Sequence, residues 1–336
     1  MHPDWRAFLQ RQGAVFDAQR VRHYSDASAG LRTAADAAVI ADLSGVYAVI
    51  AVEGADSHSF LQGQLSTNVL MLSPALSQLS SWNNAKGRVA AMLRVLEGDA
   101  RLLLLVPRAL AATVLKGLSM YVLRARARLM DVSDTLGQFG LAGERAPDLL
   151  AACGLGMPAE TNAVTEHQGV RLIRLHGSTP RCWVLGPSPE LQSLWTHLVN
   201  HGARPADSDA WTLLRIRAGE PEVHPETAGH FVAQMLGLEE LGAVHFNKGC
   251  YLGQEVIARA HYRGAVKRHL HRARCRSPEP LPPGLAVLAG TRDQPVGEIA
   301  DACRDASGEW QMLLVLQDES AAALLRINGA PATLIA

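Results

Sequence analysis

Apolar side chains occur in short runs along the first 130 residues, and the runs have the length of β-strands. Tyr47–Val52 is apolar and partly β-branched and ends before a glycine, which predicts a buried strand. Leu79–Asn83 and Val89–Leu96 flank an Asn-Asn-Ala-Lys-Gly turn, and Leu102–Val106 is a further apolar run. Arginines alternate with Leu and Ala in Leu123–Leu129, which is the period of a half-buried strand. The pattern predicts strands joined as hairpins.

Strands and helices alternate in the middle of the chain without a strict β-α-β rhythm. Val170–Leu175 and Cys182–Leu185 are predicted strands, and Pro189–Val199 and Asp209–Arg217 are predicted helices. The first fifty residues predict a helix, a polar connector and a strand. Hairpins mixed with helices favour the α+β class over a doubly wound parallel sheet.

The pattern changes after Val266, where short apolar runs are separated by turns rich in Pro and Gly. Strands at this spacing predict a small all-β barrel of roughly 70 residues. We therefore predict an α+β region over residues 1–264, with a soft internal division near 140–160, and a C-terminal β-barrel over 265–336. A length of 336 residues agrees with about two domains.

The charge balance argues against one broad class of function. The chain has 32 Lys and Arg residues and 32 Asp and Glu residues, so its formal net charge is zero. A surface built as a whole to bind nucleic acid or anionic lipid has a strong positive excess. The most apolar stretch, Leu102–Val106, is far short of the roughly 20 residues of a membrane span, and no secretory signal is visible. We expect a cytoplasmic protein with no membrane association.

Five cysteines, at positions 153, 182, 250, 275 and 303, are spaced too widely for a local metal motif. Structural zinc and iron–sulfur sites usually contain closely spaced cysteine pairs, and an odd number of scattered cysteines is not a disulfide framework. We therefore expect reduced thiols and no metal site.

One stretch, Asn247–Glu255 (NKGCYLGQE), has candidate chemistry. It is predicted to be a loop that leads into a helix, and its two glycines allow a sharp turn or a close approach to a ligand. Cys250 lies near the predicted helix N-terminus and two residues after Lys248, and both features favour a thiolate. Lys248 is also a candidate partner for an anionic ligand. The alternative is that Cys250 is a small buried side chain in a tight loop.

This stretch resembles the K-G-C-Y-x-G-Q-E signature of the YgfZ family, which comprises folate-binding proteins related to the T-protein (aminomethyltransferase) of the glycine cleavage system. The matching signature residues are Lys248, Gly249, Cys250, Tyr251, Gly253, Gln254 and Glu255. Gly229–Gln234, Leu241–Phe246 and Ala258–Arg268 look like the family's residues before and after the signature, and Gly54–Leu65 and Asn84–Arg88 look like blocks that it shares with the T-proteins. The resemblance therefore extends over much of the chain.

The resemblance implies α+β, T-protein-like domains around a central opening, followed by the C-terminal barrel. It implies tetrahydrofolate or a one-carbon derivative as the ligand, and client iron–sulfur enzymes as partners. The implied function is to support assembly or repair of iron–sulfur clusters in these clients, which include tRNA-modifying radical enzymes that transfer methylthio groups. Cys250 matches the cysteine thought essential for that function and is the implied catalytic residue.

Three residues are implied to contact the folate. Trp211 matches a family tryptophan linked to folate binding, Tyr47 stands where relatives can carry a tryptophan, and Lys248 belongs to the signature. Aromatic rings offer a stacking surface to a flat pterin. The alternative is that Trp211 packs its helix on the core and that Tyr47 caps a strand.

Arg217 departs from the pattern of the T-proteins, which generally have a glutamate at this place that binds the pterin. An arginine cannot accept hydrogen bonds, so this mode of pterin binding is lost. Glu220 and Glu222 lie nearby in the sequence as possible substitutes. Aminomethyl transfer is therefore not expected, and a tetrahydrofolate-dependent one-carbon transferase is the alternative function if the chain is an enzyme.

Arg259–Arg276 is a local basic strip that contains six arginines, one lysine and three histidines but no acid. It is a candidate surface for a folate polyglutamate tail, an acidic partner or RNA, or else a solvated face balanced by acids elsewhere. Its one aromatic residue, Tyr262, offers little stacking surface for RNA. Direct action on tRNA is a third hypothesis, and the family's link to tRNA does not require such contact.

Overall fold

The computed structural model describes residues 1–24, 38–264, 266–290 and 294–335. Over this part of the chain the helices are α1 (Pro3–Arg11), α2 (Ser57–Gln62), α3 (Arg108–Met120), α4 (Ala146–Ala152), α5 (Ser188–Asn200), α6 (Ser208–Arg217) and α7 (Gln254–Arg263). The strands are β1 (Ala14–Asp17), β2 (Arg20–Tyr24), β3 (Val39–Asp42), β4 (Tyr47–Glu53), β5 (Gln78–Asn83), β6 (Val89–Gly98), β7 (Arg101–Pro107), β8 (Arg128–Asp131), β9 (Gly137–Ala142), β10 (Val164–His167), β11 (Val170–Arg174), β12 (Arg181–Gly186), β13 (Arg204–Ala206), β14 (Arg268–Cys275), β15 (Ala286–Ala289), β16 (Gly297–Arg304), β17 (Trp310–Gln317), β18 (Leu325–Ile327) and β19 (Ala330–Ile335).

These elements form two compact units, each built from three separate segments of the chain. Unit 1 comprises Met1–Ser57, Met71–Gln78 and Arg94–Trp211. Unit 2 comprises His58–Leu70, Leu79–Leu93 and Thr212–Ala336. The signature stretch and most of the blocks that resemble the YgfZ family lie in unit 2.

A six-stranded sheet in the order β10-β11-β12-β9-β3-β13 belongs to unit 1. Neighbouring strands are antiparallel, except that β13 runs parallel to β3. The aromatic rings of Trp5, Phe139 and Trp195 pack against one another at centroid distances of 5.5 to 6.1 Å. Large buried rings supply much of the apolar area that stabilises such a core.

A second sheet has five strands in the order β5-β6-β7-β4-β8. Within it β4 pairs antiparallel with β7, from Tyr47 opposite Pro107 to Glu53 opposite Arg101. Both strands are buried along almost their whole length. This explains why their sequences are continuous apolar runs instead of alternating ones.

The C-terminal strands close into a barrel in the order β14-β17-β16-β15-β18-β19. Alternate side chains of β17, namely Met312, Leu314 and Leu316, are completely buried in its core together with Ile299. Closure pairs every strand and leaves no sheet edge exposed. The predicted α+β class and the predicted small barrel are both confirmed.

Two of the predicted elements differ from the structure. The strand predicted over Leu123–Leu129 is wrong, because β8 covers only Arg128–Asp131 and Leu123 is 86% exposed with a φ of 45°. The predicted polar connector contains the hairpin of β1 and β2, and its remaining residues, 25–37, lie outside the described residues. The domain boundary at 264 and the division near 140–160 stay predictions.

Among the described residues, no helix has both the length and the apolar character needed to cross a membrane.

Candidate functional site

The signature loop, Asn247–Gly253, leads into α7 as predicted, and two glycines fix its position in unit 2. Gly253 precedes the first residue of α7 with a φ of 81°, and a Cβ atom there would lie 2.5 Å from the carbonyl oxygen of Asn84. Gly87 has a φ of 67°, and a Cβ atom there would lie 2.6 Å from the Cβ of Val256. The left-handed backbone and the close approach both require glycine. The Asn84–Arg88 turn and the signature loop therefore meet backbone to backbone.

Lys248 ties the signature loop to residues 62–67. Its ammonium group donates to the carbonyl oxygens of Gln62, Leu65 and Thr67 at 2.8, 2.6 and 2.7 Å. An ammonium group has three N–H donors, so all three are used. Burial lowers the pKa of Lys248 to about 8. A hydrogen bond from Lys248 to an anionic ligand would have to replace one of these bonds, so the geometry favours a positioning role for this residue.

The thiol of Cys250 is exposed on the anchored loop. Beyond the Lys248 anchor, the Leu252 amide donates to the carbonyl of Gly63 at 3.3 Å, and the Tyr251 amide donates to Oε1 of Gln254 at 3.2 Å. Cys250 is the exposed cysteine of the chain, whereas the other four are buried or half-buried. The alternative that Cys250 is a small buried side chain is therefore wrong. The loop presents a thiol to solvent from a fixed backbone.

A buried cluster of hydroxyl groups joins residues 66–67 to strand β5, and it was not predicted from the sequence. Ser66 donates to the carbonyl of Ala243 at 2.6 Å, Thr67 donates to Ser80 at 2.8 Å, and Ser81 donates to Ser66 at 3.0 Å. All four hydroxyl residues are completely buried. The signal was present in β5, whose Ser-Ser-Trp-Asn sequence is unusually polar for a strand beside apolar strands.

Next to this cluster, two adjacent backbone segments carry buried polar atoms without partners. Leu65 pairs antiparallel with Trp82, which places Gln64 opposite Asn83. Oε1 of Gln64, Nδ2 of Asn83 and Nε1 of Trp82 are buried, and none has a hydrogen-bond partner in the described part of the chain. A buried polar group without a partner costs about 1–3 kcal/mol. Gln64 and Asn83 share one face, whereas the Trp82 side chain points to the other face. One acceptor opposite one donor fits the edge of a flat polar heterocycle that carries both kinds of group.

The two aromatic residues predicted to contact folate are buried in unit 1. Trp211 is 2% exposed, and its ring packs so closely on Gly140 that a Cβ atom there would lie 2.2 Å from the ring. The Tyr47 ring is buried against Trp183 at a centroid distance of 4.5 Å. Neither ring has an open face in this structure, which agrees with the core-packing alternative. Folate contact by Trp211 or Tyr47 stays a prediction.

Arg217 is exposed, whereas Arg215 is part of a buried network of charged side chains in unit 2. Arg215 Nη2 lies 2.6 Å from Oδ2 of Asp301, and Nε2 of His224 lies 3.1 Å from the other oxygen of this carboxylate. Glu222 lies 3.8 Å from Arg215, and the carbonyl of Glu220 accepts a hydrogen bond from Arg215. The carboxylate of Glu222 is therefore paired with Arg215, which argues against its replacing the missing T-protein glutamate. Glu220 contacts Arg215 through its backbone carbonyl, so a role for its carboxylate stays a prediction.

The charges in this network shift two pKa values in opposite directions. Burial alone would raise the pKa of Asp301, but the charge of Arg215 and the hydrogen bond from His224 outweigh burial and lower it. Burial alone would lower the pKa of His224, but the hydrogen bond and charge of Asp301 outweigh burial and raise it. The network thus favours an ionised Asp301 and a protonated His224.

Unit 1 contains a separate cavity of about 420 Å³, lined by apolar side chains and by Cys153, His167, Glu190, Ser193 and His197. None of the residues predicted for the site lines it. In the residues that the structure describes, no group of three or more His, Cys, Asp or Glu side chains is placed to hold a metal ion.

Comparisons with known proteins found similar sequences and a similar structure. The chain is 31% identical over 225 residues to the tRNA-modifying protein YgfZ of Colwellia psychrerythraea, covering 67% of this chain and 68% of that one. It is 28% identical over 285 residues to the protein of that name from Sodalis glossinidius, covering 84% and 86%. The crystal structure of the glycine cleavage system aminomethyltransferase T from Bartonella henselae matches with a TM-score of 0.79 over 98% of this chain and 95% of that one, at 16% identity. No protein-family model matches the chain.

Proposed function

The chain belongs to the YgfZ family and has the aminomethyltransferase T-protein fold, and we propose that it is a folate-binding accessory protein for iron–sulfur enzymes. In this role it supports assembly or repair of iron–sulfur clusters in clients that include tRNA-modifying, methylthio-transferring radical enzymes. The observation that carries the proposal is the exposed thiol of Cys250 on a loop anchored by Lys248 and by the contact of Gly253 with Gly87.

Cys250 is the residue that meets the client. An exposed thiolate binds iron and reacts with other sulfur groups, whereas a buried thiol is inert. One cysteine supplies only one ligand, and iron–sulfur clusters usually have four, so the client's cluster keeps its remaining ligands on the client. Because the loop backbone is already anchored, the loop loses little conformational entropy when the client binds, and this lowers the entropic cost of binding.

The residues around β5 are the part of unit 2 that fits a folate. The folate would supply a one-carbon unit when bound. The acceptor of Gln64 and the donor of Asn83 would pair with the polar edge of its pterin, since these atoms have no partner among the described residues. Trp211, Tyr47 and Lys248 stay predicted contacts, and Lys248 would act by positioning the signature loop.

Calorimetric titration with tetrahydrofolate and with 5-formyl-tetrahydrofolate tests the ligand. We expect saturable binding to the wild type and at least about tenfold weaker binding to Asn83→Leu, which removes one buried donor. The variant also removes the Oδ1 that accepts a hydrogen bond from Ser81 at 3.2 Å, so its melting temperature is measured alongside to show that it is folded. The control is Asn200→Leu, an exposed position at the end of α5. Equal affinity of the wild type and Asn83→Leu would show that the folate does not bind beside Asn83.

Replacement of the thiol tests the cellular role. In cells that lack the native protein, we expect Cys250→Ala to fail to restore the methylthio content of tRNA, while Cys303→Ala restores it. Cys303 is buried in the barrel and serves as the matched cysteine control. Full restoration by Cys250→Ala would refute the proposed role of the thiol.

A tetrahydrofolate-dependent one-carbon transferase is the second candidate, and the fold match to an aminomethyltransferase favours it. Arg217 argues against it, because its side chain cannot accept the pterin hydrogen bonds. Formation of methylene-tetrahydrofolate from an aminomethyl-loaded carrier protein is the assay. Turnover would establish this second function, and its absence would dismiss it.

A further inference from the structure

Helix α7 is anchored along one side. Ile257 is completely buried, and Nε2 of Gln234 donates to its carbonyl oxygen at 3.0 Å. His261 lies 2.9 Å from the carboxylate of Glu239 and stacks on Phe246 at a ring-centroid distance of 3.9 Å. These contacts fix the rotation of the helix about its axis, so the direction in which its opposite side faces is also fixed.

The opposite side, here named the α7 outer face, consists of Val256, Arg259, Tyr262 and Arg263. Residues three or four positions apart share one side of a helix, so these four side chains lie together. All four are exposed, Val256 by 40% and Tyr262 by 66%. No described carboxylate forms an ion pair with either arginine. The exposed carboxylate of Glu255 lies four residues before Arg259 on the same side of the helix, so the two arginines leave the face with one net positive charge beside an aromatic ring.

The ring of Tyr262 is held in place although it is exposed. It stands nearly perpendicular to His261 at a centroid distance of 4.7 Å and contacts Phe246 at 5.8 Å. An exposed ring that is already ordered loses little side-chain entropy when a partner covers it. Tyrosine and arginine are also among the residue types that contribute most to the affinity of protein interfaces.

The α7 outer face leads directly to the reactive thiol. The helix begins four residues after Cys250, and Val256 at its start packs against Gly87 of the Asn84–Arg88 turn. Lys86 of that turn is exposed and adds a third positive charge, against one exposed acid, Glu255. Since the whole chain has a net charge of zero, this positive excess is local. It attracts acidic groups more strongly than the average surface of the molecule does.

We propose that the α7 outer face, together with Lys86, is the docking surface for an acidic segment of the client protein, and that it brings the client's cluster to Cys250. This inference rests on the proposed function. A protein partner fits better than RNA, because an RNA-binding surface generally combines a broad basic area with several stacking rings, and this face has one ring. Charge complementarity around a central aromatic residue is the usual arrangement of a specific, moderately strong protein interface.

Fluorescence anisotropy with two probes tests the proposal. The first probe is a fluorescein-labelled acidic peptide of about twelve residues, made of Asp and Glu around one Trp, and the second is labelled bulk tRNA. Binding is measured at about 50 mM and about 200 mM salt, because surface charge interactions weaken as salt rises. The variants are Arg259→Glu/Arg263→Glu, Tyr262→Ala, and the control Arg124→Glu/Arg128→Glu, which makes the same charge change at exposed positions of unit 1.

We expect Arg259→Glu/Arg263→Glu to weaken peptide binding at least about tenfold and the control to change it less than about twofold. Tyr262→Ala should weaken it by an intermediate factor without altering the salt dependence, since it removes contact area and no charge. Equal losses in the α7 variant and the control would overturn the proposal, because the peptide would then be sensing net charge alone. Tighter binding of tRNA than of peptide, abolished by Arg259→Glu/Arg263→Glu, would make the face an RNA surface instead.

The Cys250→Ala variant separates this inference from the proposed function. It retains the whole docking surface, so it should bind the acidic peptide as the wild type does. In cells, Arg259→Glu/Arg263→Glu should lower the methylthio content of tRNA although its thiol is intact, whereas Arg124→Glu/Arg128→Glu should not. If Cys250→Ala proves active in cells, the role of the thiol fails while the measured docking surface stands. If the α7 variant is fully active in cells, the docking surface fails while the thiol stands.

Discussion

Lys248 carries a buried charge whose partners are three backbone carbonyl groups. Replacing it by Met leaves these carbonyl oxygens without their donors, and we expect the free energy of unfolding to fall by about 2–4 kcal/mol. Hydrogen exchange at the Leu252 amide should speed up in this variant, because the loop loses its anchor. Denaturant titration measures the first effect. Lys116→Met, at an exposed lysine of α3, is the control and should change little.

The same residue predicts a pH dependence. The pKa of Lys248 is about 8 in the folded protein and about 10.4 in an unfolded chain. Between these values the unfolded chain binds more protons than the folded one, so this group makes the free energy of unfolding rise with pH. The difference in stability between the wild type and Lys248→Met should therefore grow from pH 8 to about pH 10. A difference that stays constant over this range would show that the ammonium is not desolvated.

Gly253 and Gly249 lie four residues apart in the signature loop and should respond differently to alanine. Gly253 has a φ of 81° and touches the backbone of Asn84, whereas a Cβ atom at Gly249 would meet nothing within 4 Å. We expect Gly253→Ala to lower the free energy of unfolding by about 1–3 kcal/mol and Gly249→Ala to have little effect. Denaturant titration of both variants provides the comparison. Equal effects would mean that the turn at Asn84–Gly87 moves freely away from the loop.

At the level of secondary structure elements, the ion network links α6 to strand β16 of the barrel. Asp301→Asn leaves Arg215 buried beside a neutral group, and we expect a loss of about 3–5 kcal/mol in the free energy of unfolding. The exposed pair of His269 with Asp318 is the control, and Asp318→Asn should cost less than about 1 kcal/mol. In the double variant Arg215→Met/Asp301→Leu the loss should be smaller than in Asp301→Asn, since Arg215 is no longer left as a buried cation and the remaining charges of Glu222 and His224 have opposite signs.

The sign of the pH dependence of this network follows from its two pKa shifts. The lowered pKa of Asp301 stabilises the fold above about pH 4, and this contribution is lost as the pH falls through the folded pKa. The raised pKa of His224 stabilises the fold below about pH 6.5, and this contribution is lost as the pH rises through the folded pKa. The difference between the wild type and Asp301→Asn should be largest between about pH 4 and pH 6.5, as measured by denaturation at a series of pH values.

The sequence predicted the elements whose apolar residues follow a simple pattern. The runs of β4 and β7 and the helix α5 are examples, and the barrel followed from its regular turns. Leu123–Leu129 failed because Arg and Leu also alternate by chance in an exposed turn, and periodicity alone does not measure burial. The hairpin of β1 and β2 was not predicted because its strands are only four and five residues long and most of their exposed side chains are polar.

The candidate site was predictable in its motif and not in its three-dimensional contacts. The exposed thiol of Cys250 and the loop before α7 follow from the signature residues. The partners of Lys248 are backbone carbonyls, which every residue has, so no side-chain pattern marks them. The hydroxyl cluster of Ser66, Ser80 and Ser81 forms from two segments that meet only in the folded chain. For the same reason, the burial of Tyr47 and Trp211 could not be inferred from residue type.

At the scale of the whole molecule, we expect function to depend on one cysteine, Cys250, and stability on another, Cys182. Cys250→Ala removes an exposed side chain, so the free energy of unfolding should stay within about 0.5 kcal/mol of the wild type. Cys182→Ala removes a completely buried side chain and should cost about 1–2 kcal/mol while leaving client support intact. Iodoacetamide at pH 8 should label Cys250 in the native protein and leave Cys182 unlabelled, because burial raises the pKa of Cys182 to about 12. Mass spectrometry of the labelled peptides checks this order.

The anchor of the signature loop also sets an order of events during synthesis. The bond from Lys248 to Thr67 joins residues 181 positions apart, and all of Arg94–Trp211, the longest segment of unit 1, is made between them. Chains fold from the N-terminus as they leave the ribosome, and contacts this distant in sequence form late. Residues 62–67 therefore lack their contacts with Ala243, Lys248 and Leu252 until translation has passed these residues. A chain stopped at Trp211 would contain every segment of unit 1 and still expose residues 62–67 to chaperones and proteases. The exposed thiol of Cys250 exists only in chains that have also passed this stage.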